Sequence, residues 1–290
     1  MNGILDEIER FLRDLLESWI QSNIRGMFTS LNSEVADVTT EVALTPSTWN
    51  SSIYTMIINL SDNIIMPIAG MVITYVLCHE LISMVMEKNN MHDFDTSLFM
   101  RYILKACLAV FLLSNTSTMV MAFFDVGSHI VLSAGGIIAG ATDINVETQL
   151  LNLMATQLPT MDIGTLFMLA IESLIINLAI NLMSIVIGLV LAHRMVEIYF
   201  YISVAPIPFA TITNREWGSV GSNYIRSIIA LAFQGFLIMV CVAIYSALIT
   251  TIVVGGDIET ALWEVIAYTV LLTTCLFTTN RLSKSIFNAH

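Results

Sequence analysis

Chemistry would first be sought at a carboxylate buried in an apolar run. Glu172 lies in residues 163–212, where the other charged side chains are Arg194 and Glu197. A charge at membrane depth is costly, so an isolated carboxylate there is protonated or finds a partner. The same run carries Asn177, Asn181, Ser184 and Gly188 at steps of four, three and four, one polar stripe along a helix. At about 100° per residue, Glu172 projects roughly 140–180° away from Asn177 and Asn181. The carboxylate and the stripe therefore serve different neighbours. Side chains of these types can make interhelical hydrogen bonds, line a wet conduit or form a proton-coupled transport site. Beyond them, Arg194 and Glu197 stand three apart and can pair on one helix face at an interface. Tyr199, Phe200 and Tyr201 follow, and then Pro206 and Pro208 break the backbone. Broken backbone at membrane depth is tolerated only where protein or water satisfies its polar groups. A further polar group, Ser114, Asn115, Thr116, Ser117 and Thr118, falls in the middle of another apolar stretch. It either bonds a neighbouring helix or lines a cavity.

Other reactive residues form no recognisable site. His79 and Glu80 resemble half of a zinc-protease helix, but Ser83 stands where the second histidine belongs. Lys88, His92, Asp93 and Asp95 read as a solvated turn. Cys78, Cys107, Cys241 and Cys275 sit singly in apolar stretches and read as small buried hydrophobes. There is no phosphate-binding glycine loop and no nucleophile elbow. The sequence thus predicts no catalytic residue, no metal and no cofactor.

The elements that must position these residues are set by composition. The chain has 290 residues, 56% hydrophobic and 12% charged, with mean hydropathy +0.80. Soluble domains carry about 25% charged residues. The expectation is an all-α, polytopic membrane protein with spans near 64–85, 101–124, 163–191, 224–254 and 261–279. An N-terminal amphipathic helix at 4–31 and a loop to residue 52 precede the bundle of 53–285, and 286–290 form a tail. Residues 163–212 as one helix would measure about 75 Å, against a hydrocarbon core of roughly 30 Å. Hence 192–212 is expected to be a separate, proline-broken piece, re-entrant or lying flat. Within the polar connection 125–162, residues 129–141 read as re-entrant or surface-lying. No secretory leader is expected, because residues 1–30 alternate charged and apolar side chains.

Charge sets the orientation. The formal balance is −12, with 11 Lys+Arg against 23 Asp+Glu. Tight holding of nucleic acid requires basic residues on phosphates, so this chain is a poor binder of DNA or RNA. Five crossings put Lys88, Arg101, Lys105, Arg194, Arg215, Arg226, Arg281 and Lys284 on one side, with none in 125–162 or 255–260. The positive-inside rule then places the N-terminus outside and the C-terminus in the cytoplasm.

The order of these features carries a resemblance. An amphipathic N-terminal segment precedes an acidic external loop after the second span. A long apolar helix then ends in Arg194-x-x-Glu197, the aromatics and Ala205-Pro206-Ile207-Pro208, and Tyr224-Ile225-Arg226 opens a further span. This arrangement, over roughly 53–285, resembles the TrbL-like inner-membrane subunits of type IV secretion and conjugation machines, the family of the sixth VirB subunit. The resemblance implies a non-enzymatic, oligomeric scaffold or channel subunit in the bacterial inner membrane. Its implied partners are the other secretion subunits, including separate ATPases, copies of itself, membrane lipid, and transferred DNA or protein in transit. The rival readings are an ion or small-molecule transporter using Glu172 and Asn177, and a structural membrane protein with no conduit.

Overall fold

No proline or glycine falls between Gly188 and Pro206, so nothing local stops a helix there. In the computed structural model, which describes residues 2–87, 96–141, 146–252 and 258–289, one helix runs unbroken from Ile163 to Val204. The elements in chain order are α1 (Asn2–Ala43), α2 (Pro46–Trp49), α3 (Ser51–Leu60), α4 (Met66–Glu87), α5 (Thr96–Ser114) and α6 (Thr116–Ala141). They continue with α7 (Val146–Gln157), α8 (Ile163–Val204), α9 (Pro206–Thr211), α10 (Gly218–Thr251) and α11 (Ile258–Ile286). No strand occurs among the described residues, and the protein is an all-α polytopic membrane protein. Among the described residues, five helices are long and apolar enough to cross a bilayer: Ser51–Met86, Thr116–Ile137, Ile163–Val204, Gly218–Thr251 and Ile258–Ile286.

Several boundaries differ from those read in the sequence. The break expected after residue 191 lies instead at Ala205, because His193, Arg194 and Glu197 are accommodated inside the helix ladder. Pro206 stops that ladder: it has no N–H to offer the carbonyl of Ile202. The Ala205 N–H closes a tighter bond to that carbonyl at 3.3 Å. The stretch expected to be one span at 101–124 is divided at Asn115 between α5 and α6. α6 then runs through Asp125 to Ala141, where a polar connection and a re-entrant piece were expected. Polar side chains in 125–128 mark no helix end, since no proline interrupts them. The N-terminal helix continues past residue 31 to Ala43, across Ser, Thr and Asn side chains that suggested a loop. The turn with Lys88, His92, Asp93 and Asp95, and Asp257 of the last connection, lie outside the described residues. Cys78 and Cys107 are exposed rather than buried.

Ahead of α4, a π-type turn at Ser61–Ile65 has a local cause. Pro67 cannot donate to the carbonyl four residues back, and just before it the Met66 N–H reaches the Ser61 carbonyl, five back.

The chain divides into two compact units. One comprises Met1–Val42, Val131–Leu191 and Phe236–Thr279; the other comprises Ala43–Ile130, Ala192–Gly235 and Asn280–His290. By sequence, the first holds three of the 11 basic and fifteen of the 23 acidic residues, and the second holds eight of each. The entire formal charge of −12 therefore belongs to the first unit.

In the second unit the core gathers around the proline-broken joint. Phe209 and Ile228 are fully buried beside Ile198, Ile202 and Tyr224. Ala210 packs with Ala69, Ile73, Ala109 and Leu113, so that α9 lies between α4 and α5. The start of α10 closes over α9 at Gly221. A Cβ there would stand 2.6 Å from the Pro208 carbonyl oxygen and collide with the Ile212 side chain. Gly127 plays the same part on α6, where a Cβ would come within 2.8 Å of the Ala232 carbonyl oxygen. Gly221→Ala is expected to destabilise the detergent-solubilised protein by about 1–2 kcal/mol, the range for overpacking a tight contact. Gly136→Ala is the control: a Cβ there meets nothing within 4 Å. Denaturant midpoints of the two variants measure the difference, and equal midpoints would mean α10 is not seated as described.

Candidate functional site

In the first unit, α1 is held along α8 by a ladder of small and polar residues. The Asn23 Nδ2 donates to Ser173 Oγ at 3.1 Å, between buried residues. Gly26 faces Asn177, with 3.8 Å from a built Cβ to its Nδ2. The Ser30 hydroxyl donates to Asn181 Oδ1 at 3.4 Å, and Ser184 hydrogen-bonds the Glu34 carboxylate. Numbers rise together on both helices, so α1 and α8 run parallel. Just ahead of α8, Arg13 Nη1 donates to the Met161 carbonyl at 2.7 Å and to the Pro159 carbonyl at 3.3 Å. Beneath this ladder α1 buries Ile20, Ile24, Met27, Phe28, Leu31, Val38 and Val42, an apolar stripe at helical spacing.

The predicted stripe Asn177, Asn181 and Ser184 thus lies in this seam. Asn181 also donates to the Asn177 carbonyl at 2.8 Å and its side-chain oxygen at 3.1 Å. Ser173 belongs to the same row and was missed, although its spacing of four from Asn177 announces it. Its partners Asn23, Gly26, Ser30 and Glu34 repeat at steps of three and four on α1, a second signal of the same kind. Glu172 lies on another side of α8, where the Glu259 carboxylate of α11 acts on it electrostatically. The stripe and the carboxylate do not converge on a common solute site. Gly26→Ala puts a methyl at ordinary contact distance and is expected to stabilise the protein by about 0.5–1 kcal/mol through helix propensity. Gly26→Leu is expected to force the helices apart and destabilise by about 1–2 kcal/mol. Opposite signs in unfolding midpoints support the close approach; matching signs contradict it.

In the second unit, Glu197 of α8 is engaged by α11. Its Oε1 accepts from Lys284 Nζ at 2.7 Å and its Oε2 from Asn280 Nδ2 at 2.6 Å. Arg194, one turn before Glu197, is buried. Lys284 also lies over the Tyr201 ring, 6.0 Å from its centroid. One turn on, Ser283 donates to the Ala230 carbonyl at 2.5 Å. The Tyr224 hydroxyl donates to the Tyr201 carbonyl at 2.6 Å, and its ring meets Phe209 edge-on at 6.0 Å. Tyr199 donates to the Pro46 carbonyl at 2.8 Å while stacking obliquely on Trp49. Tyr199 and Tyr224 thus share one core with Ala205 and Phe209 at the joint, where Pro206 is buried and Pro208 half-buried.

A second polar knot ties the loop after α9. Asn214 Oδ1 accepts the N–H groups of Glu216 and Trp217, each at 2.8 Å. Its Nδ2 points to Glu80 Oε2 at 3.4 Å, and Lys105 Nζ holds Glu80 Oε1 at 2.6 Å. His79 approaches Glu216 at 3.8 Å, and Trp217 stacks on Tyr75 with centroids 5.5 Å apart. His79 and Glu80 therefore fasten a loop. Sequence reading missed Asn214, whose only signal was an Asn two residues before the Glu it caps.

Ser114, Asn115 and Thr116 form the joint between α5 and α6. Asn115 Nδ2 donates to the Phe111 carbonyl at 2.9 Å, and Thr116 Oγ1 donates to the Leu113 carbonyl at 2.8 Å. Both bond back to carbonyls of α5, as short polar side chains do where a helix bends. Neither alternative read from the sequence describes these two bonds.

A family model described as TrbL/VirB6 plasmid conjugal transfer like protein matches residues 31–206, from the second half of α1 to the start of α9. Neither the curated proteins nor the solved structures compared with the chain give a match.

Proposed function

We propose, from the premise that this chain belongs to the TrbL/VirB6 plasmid conjugal transfer family, that it forms part of the membrane path of a conjugation machine. As a family member it is a multi-pass component of conjugal transfer, the type IV secretion class, and works with other subunits of that machinery. The finer reading is a non-enzymatic scaffold and channel subunit, assembled as a homo-oligomer in the bacterial inner membrane. Its N-terminus lies outside and its C-terminus in the cytoplasm. Separate ATPases drive transfer, and DNA or protein touches the chain only in transit.

The observation that carries this reading is the family match across the most apolar helix and the joint that follows it. Two features support it. The polar residues of α8 are spent on α1 and α11, which suits a scaffold whose helices must hold register. The basic residues that would mark a cytoplasmic face all lie in the second unit apart from Arg10, Arg13 and Arg25.

The test is a mating assay with an in-frame deletion of the gene in its conjugative host, complemented from a plasmid. Transfer is expected to fall below detection and to return on complementation. Undiminished transfer in the deletion strain, or solute uptake by the purified protein in liposomes, would overturn the proposal.

A further inference from the structure

The geometry points to an oxidation site between the last two helices: Cys241 of α10 and Cys275 of α11 form a thiol pair that an uncharged peroxide closes to a disulfide. The site lies in the first unit, away from the two polar knots, and stands apart from the proposed role in transfer.

Register brings the two sulfurs together. In this unit Tyr245 of α10 meets Thr269 of α11, their hydroxyls 3.3 Å apart and both residues buried. Cys241 lies one turn before Tyr245, and Cys275 lies fewer than two turns after Thr269. The side chains of Cys241 and Cys275 share a hydrogen bond. Numbers fall along α10 as they rise along α11, so the two contacts belong to one antiparallel face. Both cysteines are free and half-buried. Their own turns bury Ile238 and Val242 on α10, and Leu272 and Leu276 on α11.

These surroundings select the oxidant. Charged reagents are kept out of an apolar helix pair, whereas a peroxide carries no charge. One sulfur attacks the peroxide, and the O–O bond breaks. A sulfenic acid forms on that sulfur, and the other oxygen leaves as an alcohol with the thiol's proton. The second thiol then attacks the oxidised sulfur; the S–S bond forms, the S–O bond breaks, and water leaves with the second proton. Two electrons pass from the sulfur pair to the peroxide, so no further oxidant enters. Contact between the side chains makes the second step intramolecular, and the sulfenic acid is captured before it is oxidised further. The product ties α10 to α11 covalently beside the Tyr245–Thr269 bond.

The experiment uses the full chain with Cys78 and Cys107, both exposed, replaced by serine. A protease site is inserted in 253–257, between the two helices. Membranes are treated with cumene hydroperoxide, denatured in the presence of N-ethylmaleimide, and the protein is purified and cleaved. The two fragments are expected to stay joined on a non-reducing gel and to separate with dithiothreitol. Intact mass is expected to fall by two hydrogen atoms, with no maleimide taken up. With Cys275→Ser the fragments are expected to separate, and Cys241 to carry oxygen or maleimide. Separated fragments from treated protein that retains both cysteines, each labelled by maleimide, would overturn the inference. Disulfide-linked dimers would overturn it too, because the sulfurs would then face another copy and not each other.

Discussion

Glu197→Ala is expected to release the end of α11 from α8 and to lower stability by about 2–3 kcal/mol. Breaking a buried ion pair from one side costs about 3–5 kcal/mol, and the partial exposure of Lys284 reduces that figure. The side chains are 16% and 31% exposed for Glu197 and Lys284. In the variant the ammonium keeps only the Tyr201 ring, and Asn280 Nδ2 loses its acceptor at 2.6 Å. Glu197→Gln keeps an oxygen for one of the two donors and is expected to lose about half as much. Lys284→Met removes the cation together with its need for a partner. Combined with Glu197→Ala, it is expected to be less than additive by about 1 kcal/mol or more. Denaturant unfolding of the purified protein, followed by tryptophan fluorescence, provides all four values. Strict additivity would show that the two side chains do not act as a pair.

Asn214→Ala should produce a comparable loss at the other polar knot, again about 2–3 kcal/mol. Asn214 is 7% exposed, and its oxygen is the acceptor for two N–H groups at the start of the turn leading to α10. Losing an N-cap acceptor costs about 0.5–2 kcal/mol, and leaving a buried donor unsatisfied adds about 1–3 kcal/mol, partly offset by water entering the loop. Asn214→Asp separates the two contributions. Its carboxylate still accepts from Glu216 and Trp217 but faces Glu80 with a like charge in place of a donor. The Asp variant should therefore keep both N–H contacts and lose only the one to Glu80, with a smaller loss of stability than the Ala variant. An equal loss in the two variants would contradict the assigned bonds.

Residue by residue, the two levels of description divide clearly. The stripe Asn177, Asn181 and Ser184 was legible as one polar row because helical spacing puts those residues on one side, with packing and conduit both open. Of its counterpart on α1, Asn23, Gly26 and Ser30 fell inside the helix expected at 4–31, and Glu34 in the stretch that looked like a loop. The same side chains become helical residues once each has α8 or its own carbonyls to bond. Arg194 and Glu197 were adjacent in register, and local spacing favoured their pairing. Lys284 and Asn280, which also reach Glu197, stand more than eighty residues away, where local spacing gives no signal. The polar run at 114–118 gave no sign of being a joint, since a kink depends on which carbonyls its side chains reach.

Composition and periodicity alone determined that the chain is helical, apolar and multi-pass, because hydrophobic content and spacing are local properties summed along the chain. Where each long helix stops, and which partner completes each polar side chain, was decided by tertiary structure. A hydrogen bond such as Asn23 to Ser173 joins residues 150 positions apart. Only packing brings such groups together, and once both are removed from water their pairing outweighs any local preference.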